Sequence, residues 1–436
     1  MRRNEMMTDH RPLSPFESSY FGSDTRIGSI PVGGMPLFIG STVQGVLDVS
    51  ALRRVLAELA AAHPLLRSQV IDAEGAKCFR RDESYRPRLT ITEGGEPEYL
   101  ELVNTPQDWT GGLFHAHLLR DGDHDRIVLV IHHGIADGRS AFALLAELWE
   151  RYTAQVTGAP APQANPDQRL PEAMDTGLAR IVSDEEVAGL LDLMSAGVAM
   201  MSPDLAPRHL PELGDGAHRP KRLTLDRIEL DESETAAVIA AARLHGVSVN
   251  SLVTGAALAA FRAELEPSAG ALPMICGHAV DVRAELVPRL PASTVLNCVS
   301  GVGTYALVEP EADPIALAHT VASGMRASVE RREALLVMLA AQRVTDPVTA
   351  ALFSSPNTFA ISNIGRLPAF STPPGLRIVR NDVFAMTVGM PPKLTVFTVG
   401  DRMTIQVEYD TARHSRSQLG AVSQALTRTL AAVRAA

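Results

Sequence analysis

Cysteine is scarce in this chain: Cys78, Cys276 and Cys298 are the only three, odd in number and widely separated. That spacing excludes a disulfide framework, offers no metal-ligand cluster and fits a reducing compartment. No block of clustered lysine or arginine occurs and the net charge is −10, which argues against a sequence-independent grip on nucleic acid phosphates. No window reaches the roughly 18 apolar residues of a transmembrane segment. Residues 1–12 are charged and lack the apolar core of a signal peptide. A cytoplasmic location is therefore expected, with any membrane contact peripheral. A Gly-x-Gly-x-x-Gly fingerprint and a phosphate-binding loop are also missing, in keeping with chemistry that needs no metal and no permanently bound cofactor.

What the chain has is apolar mass. Of 436 residues, 46% are hydrophobic and 21% charged, ample for buried cores and too long for a single one, so two domains are expected.

The most informative stretch is Ile127-Val128-Leu129-Val130-Ile131-His132-His133-Gly134-Ile135-Ala136-Asp137-Gly138. Five consecutive aliphatic residues have the composition of a strand covered on both faces, and this strand runs straight into polar, reactive side chains. Strand side chains alternate, so His132 and His133 face opposite sides and should not share one role. A neutral imidazole, with a solution pKa of about 6.5, suits a general base at neutral pH. Asp137 reads either as a triad partner or as the cap of a helix starting near Arg139 to Ser140, and His133 either as a base or as a satisfied core histidine. The residues alone leave both choices open. The whole pattern His-His-x-x-x-Asp-Gly, however, arises by chance in about one of several hundred chains of this size.

Taken in order, residues 1–35 are rich in Gly, Ser and Pro and read as a tail and irregular lead-in, with aromatics between Phe16 and Phe21. A strand at 37–47 precedes a helix capped by Asp48 or Ser50, whose Leu52, Val55, Leu56 and Leu59 share one face and which His63-Pro64 ends. Apolar runs at 113–119 and 127–131 flank a turn at 121–125 and form a hairpin that feeds the histidines. A helix follows at 140–152. Pro/Gly-rich stretches at 156–171 and 202–220 mark a crossover. The helix between them, 184–201, carries methionines that read as cavity lining or as ordinary packing. The second half repeats the logic, with a strand at 223–230, a helix capped by Asp231 with Glu234, a helix from Ser248 and a strand at 274–282. Residues 358–361 read as a strand ending in a polar turn, 362–366, where Ser362 and Asn363 are oxyanion donors or simple turn formers. Strands at 394–399 and 403–409 and a helix at 417–433 close the chain.

At His132, His133, Asp137 and Gly138 the chain resembles the thioester-dependent acyltransferase superfamily: nonribosomal condensation domains, chloramphenicol acetyltransferase, plant alcohol acyltransferases and polyketide-associated acyltransferases. The resemblance makes His133 the general base and gives His132, Asp137 and Gly138 structural roles. His63-Pro64-Leu65-Leu66-Arg67 is similar to the opening of condensation-type proteins, with His63 and Arg67 structural. Asp281-Val282-Arg283, Pro291 and Asn297 resemble the segment that sets an arginine against the motif aspartate, implying an Asp137–Arg283 bridge. Residues 371–376 look like a segment of phthiocerol/phthiodiolone dimycocerosyl transferases.

The fold class so implied is α/β: two related chloramphenicol acetyltransferase-like domains, each a mixed sheet with helices, and an active-site tunnel between them. The expected organisation is a lead-in at 1–35, an N-terminal half at 36–180 carrying the motif, a crossover at 181–220 and a C-terminal half at 221–436. The implied activity moves an acyl group from a coenzyme A or acyl carrier protein thioester directly to a small-molecule alcohol or amine, in lipid, polyketide or other secondary-metabolite biosynthesis. Acyl-CoA or an acyl-phosphopantetheine arm would be co-substrate. Alternatives are a stand-alone condensation or epimerisation domain and a non-catalytic carrier-protein docking module, the latter having no need of His133.

Overall fold

The computed structural model describes residues 10–73, 75–160, 162, 169–200, 202–215 and 222–435. The expected tail at 1–9 and parts of both Pro/Gly-rich stretches, at 161, 163–168 and 216–221, lie outside the described residues.

Two sheets organise the molecule. The first has five strands in the order Arg377–Phe384, Pro36–Gln44, His124–His132, Phe114–Asp121 and Leu89–Glu93. The histidine strand is in the middle, and Ile127 to Ile131 are at most 1% exposed, as its unbroken aliphatic run requires. Asp121 pairs with His124, so only Gly122 and Asp123 turn the hairpin, a tighter turn than the five residues expected; Gly122 takes the positive φ of 62° that such turns demand. Helix Val49–Ala62 is capped by Asp48, whose carboxylate accepts from Ser50 N and Ala51 N. Its Leu52, Val55, Leu56 and Leu59 are fully buried, each contributing about 1.5–3 kcal/mol over exposure. Helix Gly138–Thr157 ends at Gly158 in the left-handed region and is pinned to the sheet where Trp149 Nε1 donates to Ser41 Oγ at 2.9 Å. Helix Asp184–Met200 packs against Glu333–Ala341 and Pro347–Ser354, and Val187 and Leu190 are buried in the core.

The second sheet has six strands in the order Leu223–Leu230, Arg402–Asp410, Lys393–Val399, Phe359–Leu367, Leu272–Asp281 and Val299–Val308. Helices Glu232–Leu244, Val249–Arg262 and Arg416–Ala435 share one apolar core with the sheet. Asp231 and Glu234 form the expected reciprocal cap. The molecule is thus mixed α/β. No single described helix is long and apolar enough to cross a membrane.

Three elements depart from the sequence reading. The lead-in is not irregular: Ser14 caps a helix, Pro15–Phe21, with Glu17 in a reciprocal box and Pro15 at its first position, where a missing N–H costs nothing. The polar stretch after Ile361 does not end its strand, which runs on to Leu367 through a bulge between Asn363 and Gly365. Finally, Arg377–Phe384 leaves the C-terminal half and pairs antiparallel with Pro36–Gln44, so the halves interlock across the boundary expected at residue 221. Buried Asp382 fixes that exchange, meeting Arg227 Nε of the second sheet at 2.6 Å and Arg380 Nε at 3.2 Å. Burial works against the Asp382 charge, but the surrounding arginines outweigh it and hold its pKa below the usual carboxylate range.

Candidate active site

The two histidines sit where the central strand ends. His132 N donates to Leu113 O and His133 N to Met35 O, both at 2.9 Å, so neighbouring chain segments hold the backbone on each side. Their rings diverge as alternation predicts. The His132 ring stacks on Phe21, centroids 4.1 Å apart and 6° from parallel, and meets Trp109 edge-on at 4.9 Å. Its Nδ1 accepts from Gly134 N at 3.0 Å, and burial depresses its pKa to about 3. This ring is a neutral packing element. Gly134 is needed here: a Cβ would lie 2.8 Å from Tyr20 Cβ and 2.9 Å from Phe21 Cε2.

His133 faces the other way, half-buried, with Tyr20 stacked against it at 5.6 Å. From the second half, Asn297 Nδ2 donates to His133 O at 2.9 Å. Asn297 Oδ1 accepts from Val299 N at 3.1 Å, which fixes the amide with its nitrogen toward the histidine. Burial lowers the His133 pKa; hydrogen bonds to the backbone at His133 and Ala136 and the Asp137 charge oppose this, and the Lys393 ammonium reinforces it. The ring is therefore neutral at pH 7. Asn297 Nδ2 also approaches His133 Nδ1 at 3.4 Å, where it donates to the unprotonated form of that nitrogen. Burial foremost pushes the Tyr20 pKa up to about 12, so its hydroxyl stays protonated.

Asp137 is both cap and bridge. One oxygen accepts from Ser140 N at 3.0 Å, at the start of helix Gly138–Thr157; the other accepts from Arg283 Nη1 at 2.6 Å and Cys298 N at 2.8 Å. Arg283 also donates to Asp281 Oδ1 at 3.0 Å and to Leu296 O. Aspartate and arginine are 4% and 2% exposed. Burial disfavours the guanidinium charge, but Asp137, with Cys298 and Asp281, outweighs it and raises the Arg283 pKa further above its ordinary value. Beside them, Arg139 Nη1 donates to Ile364 O at 2.7 Å. A Cβ on Gly138 would lie 2.4 Å from Ile364 Cδ1, so a larger residue here has to displace the tip of that side chain.

Ser362 and Asn363 lie on the strand rather than in a turn. Asn363 Oδ1 accepts from Gly365 N at 2.9 Å, and Gly365 has φ 87°, so this side chain shapes the bulge. Ser362 is half-buried beside Thr395 of the neighbouring strand. Among the described residues, neither is hydrogen-bonded to His133. His63 and Arg67 lie apart from the histidine turn, paired with Glu147 and Glu83. The residues that the sequence reading missed are Tyr20, Phe21 and Trp109, which wall the histidine turn. Their one available signal was the Ser14-Pro15-Phe16-Glu17 capping pattern ahead of Tyr20 and Phe21.

Comparison with known proteins defines the class first. Polyketide synthase associated protein 5 from Mycobacterium tuberculosis superposes with a TM-score of 0.71 at 20% identity, covering 97% of this chain and 98% of that one. Trichothecene 15-O-acetyltransferase from Fusarium sporotrichioides gives 0.73 at 13% identity, covering 97% and 95%. The fold is thus the two-domain condensation and acetyltransferase fold. Residues 219–408 match the family described as phthiocerol/phthiodiolone dimycocerosyl transferase C-terminus. A phthiocerol/phthiodiolone dimycocerosyl transferase from Mycobacterium sp. (strain JLS) is 26% identical over 373 residues, 85% of each chain. The superfamily expected from the histidine motif is the one these matches return.

Proposed function

We propose that the protein is an acyltransferase that moves an acyl group from a thioester directly to a hydroxyl or amine, with His133 as general base. The observation that carries this reading is the His133 ring itself. Burial lowers its pKa, which favours the neutral imidazole that a base requires, and Asn297 of the second half holds its backbone carbonyl. The acceptor heteroatom gives its proton to Nε2 as it bonds to the thioester carbonyl carbon. The carbon–sulfur bond then breaks, and the imidazolium returns the proton to the departing thiolate. Base assistance of this kind contributes about 10²–10⁴-fold, with positioning supplying much of the rest. Attack is direct, so no serine or cysteine nucleophile is called for.

The donor arrives as a coenzyme A or carrier-protein thioester, entering a tunnel between the halves from one side while the acceptor enters from the other. No resident cofactor takes part in this scheme. The named relatives are transferases, which supports an enzyme over a docking module. Incubation with a panel of acyl thioesters, following free thiol with and without candidate alcohols and amines, tests the proposal. Acceptor-dependent thiol release is expected. Release independent of every acceptor, or a stable acyl-enzyme adduct by mass spectrometry that passes its acyl group onward, overturns direct transfer.

A further inference from the structure

We propose that Lys393 is a positioning residue for the transfer: its buried ammonium group holds the loop that backs the histidine turn and supplies the positive charge that keeps His133 free to accept a proton. This rests on the acyl-transfer reading above and adds to it a residue that lies outside the histidine motif.

Lys393 opens the strand Lys393–Val399. Alternation sends Leu394 and Val396, with Ile405 and Val407 of the neighbouring strand, into the core of the second half. Lys393 and Thr395, with Glu408 and Gln406 opposite them, therefore form a polar strip on the other face, where Gln406 Oε1 accepts from Val383 N of the strand that joins the first sheet. Lys393 is 8% exposed and Glu408 0%. Lys393 Nζ donates to Ala385 O at 2.6 Å and pairs with Glu408 Oε2 at 3.0 Å, and Thr395 Oγ1 donates to Glu408 Oε1. A buried ion pair is a poor stabiliser, since apolar residues of the same volume often do as well or better. Holding the fold together does not by itself account for a lysine here.

Its position does. Phe384 faces Phe38, which faces Val130 of the histidine strand. Ala385, the next residue, is thus two strand spacings, about 10 Å, from that strand, and the ammonium bound to its carbonyl is at a similar range. The loop that starts at Ala385 also reaches the histidine turn through the backbone: Thr387 Oγ1 donates to Pro31 O at 2.9 Å, and the segment that begins at Pro31 carries Met35, whose carbonyl accepts from His133 N. Burial is the main reason the His133 ring stays neutral, and the Lys393 charge works in the same direction. Of the other groups facing the ring, Asp137 works against it but is bound to Arg283, while Tyr20 and His132 are uncharged. Glu408 is the counter-charge that limits the effect of Lys393.

The His133 imidazole can be titrated directly by NMR in full-length protein carrying isotope-labelled histidine, its signal identified by its loss in His133→Ala, alongside the acid limb of kcat/KM for transfer. Lys393→Met removes the cation, so His133 should hold its proton to higher pH, and both the titration and the acid limb should move up by about one pH unit for a unit charge at this distance. Glu408→Gln keeps an oxygen for Lys393 but leaves its charge unopposed, so both should move down; this variant still decides the matter if Lys393→Met does not fold. Lys393→Arg, which keeps the charge, should titrate like the wild type. A His133 titration that stays in place in Lys393→Met and Glu408→Gln, or moves the same way in both, overturns the proposal even if melting temperatures fall. Absence of thiol release by the wild type with every donor and acceptor, while the titrations move as stated, overturns the transfer reading instead.

Discussion

The Asp137 carboxylate and the Arg283 guanidinium, 146 residues apart in the chain, meet at 2.6 Å in the interior, between the two halves of the molecule. The pair ties the start of the Gly138–Thr157 helix to the loop that carries Asn297, and so fixes the histidine turn from behind. The same carboxylate also accepts from Ser140 and Cys298, an arrangement suited to holding a scaffold rather than relaying a proton to His133.

Breaking the pair should therefore act through stability. Arg283→Ala leaves Asp137 buried without its counter-charge and is expected to cost about 3–5 kcal/mol, read as a lowered midpoint in urea unfolding. Asp137→Asn keeps the shape and part of the capping but loses the charge, so it should be milder while still lowering the midpoint. An unchanged midpoint together with a shifted pH–rate profile would show that the aspartate instead tunes His133.

Gly138→Ala tests how closely the halves approach. Its methyl would lie 2.4 Å from Ile364 Cδ1, and overpacking of this kind costs about 1–3 kcal/mol. Ile364→Val removes the offending carbon. The double variant should recover most of the lost melting temperature, a non-additive result that two independent sites would not give.

Stability should also fall as the pH drops from about 6.5. Burial depresses His132 and His115 to about 3, and His117 and His278 to about 4, while the unfolded chain titrates near 6.5. On acidification the unfolded state takes up these protons first. The stabilisation they give is complete above about 6.5 and is lost progressively toward 3 to 4. The denaturant midpoint should decline between pH 7 and 5, above the range of ordinary carboxylates; a flat profile there would contradict the buried, neutral assignment.

The sequence carried the local parts of this architecture well. The aliphatic run at 127–131 told of a strand buried on both faces, Asp48 and Asp231 cap the helices they were expected to cap, and the helix expected from Ser248 starts there, with Ser248 as its cap. The Asp137–Arg283 pair came from likeness to a family, since no spacing rule connects residues so far apart. What stayed hidden is tertiary. The segment Arg377–Phe384 shows no clean alternation in sequence, and its partner Pro36–Gln44 lies more than three hundred residues away. Asn363 and Gly365 have turn chemistry, but it is used for a bulge inside a strand. Tyr20 and Phe21 read as anchors of a Gly/Ser-rich lead-in and not as part of the site, because the rings they stack on are more than a hundred residues away.

The central claim, that His133 Nε2 takes the acceptor's proton, is tested most directly by the rate of acceptor-dependent thiol release from His133→Ala, measured on protein that melts like the wild type. The loss should be about 10²–10⁴-fold, whereas His132→Ala, which removes a ring packed between Phe21 and Trp109, should lower the melting temperature first. Near wild-type turnover by His133→Ala would contradict the general-base assignment outright.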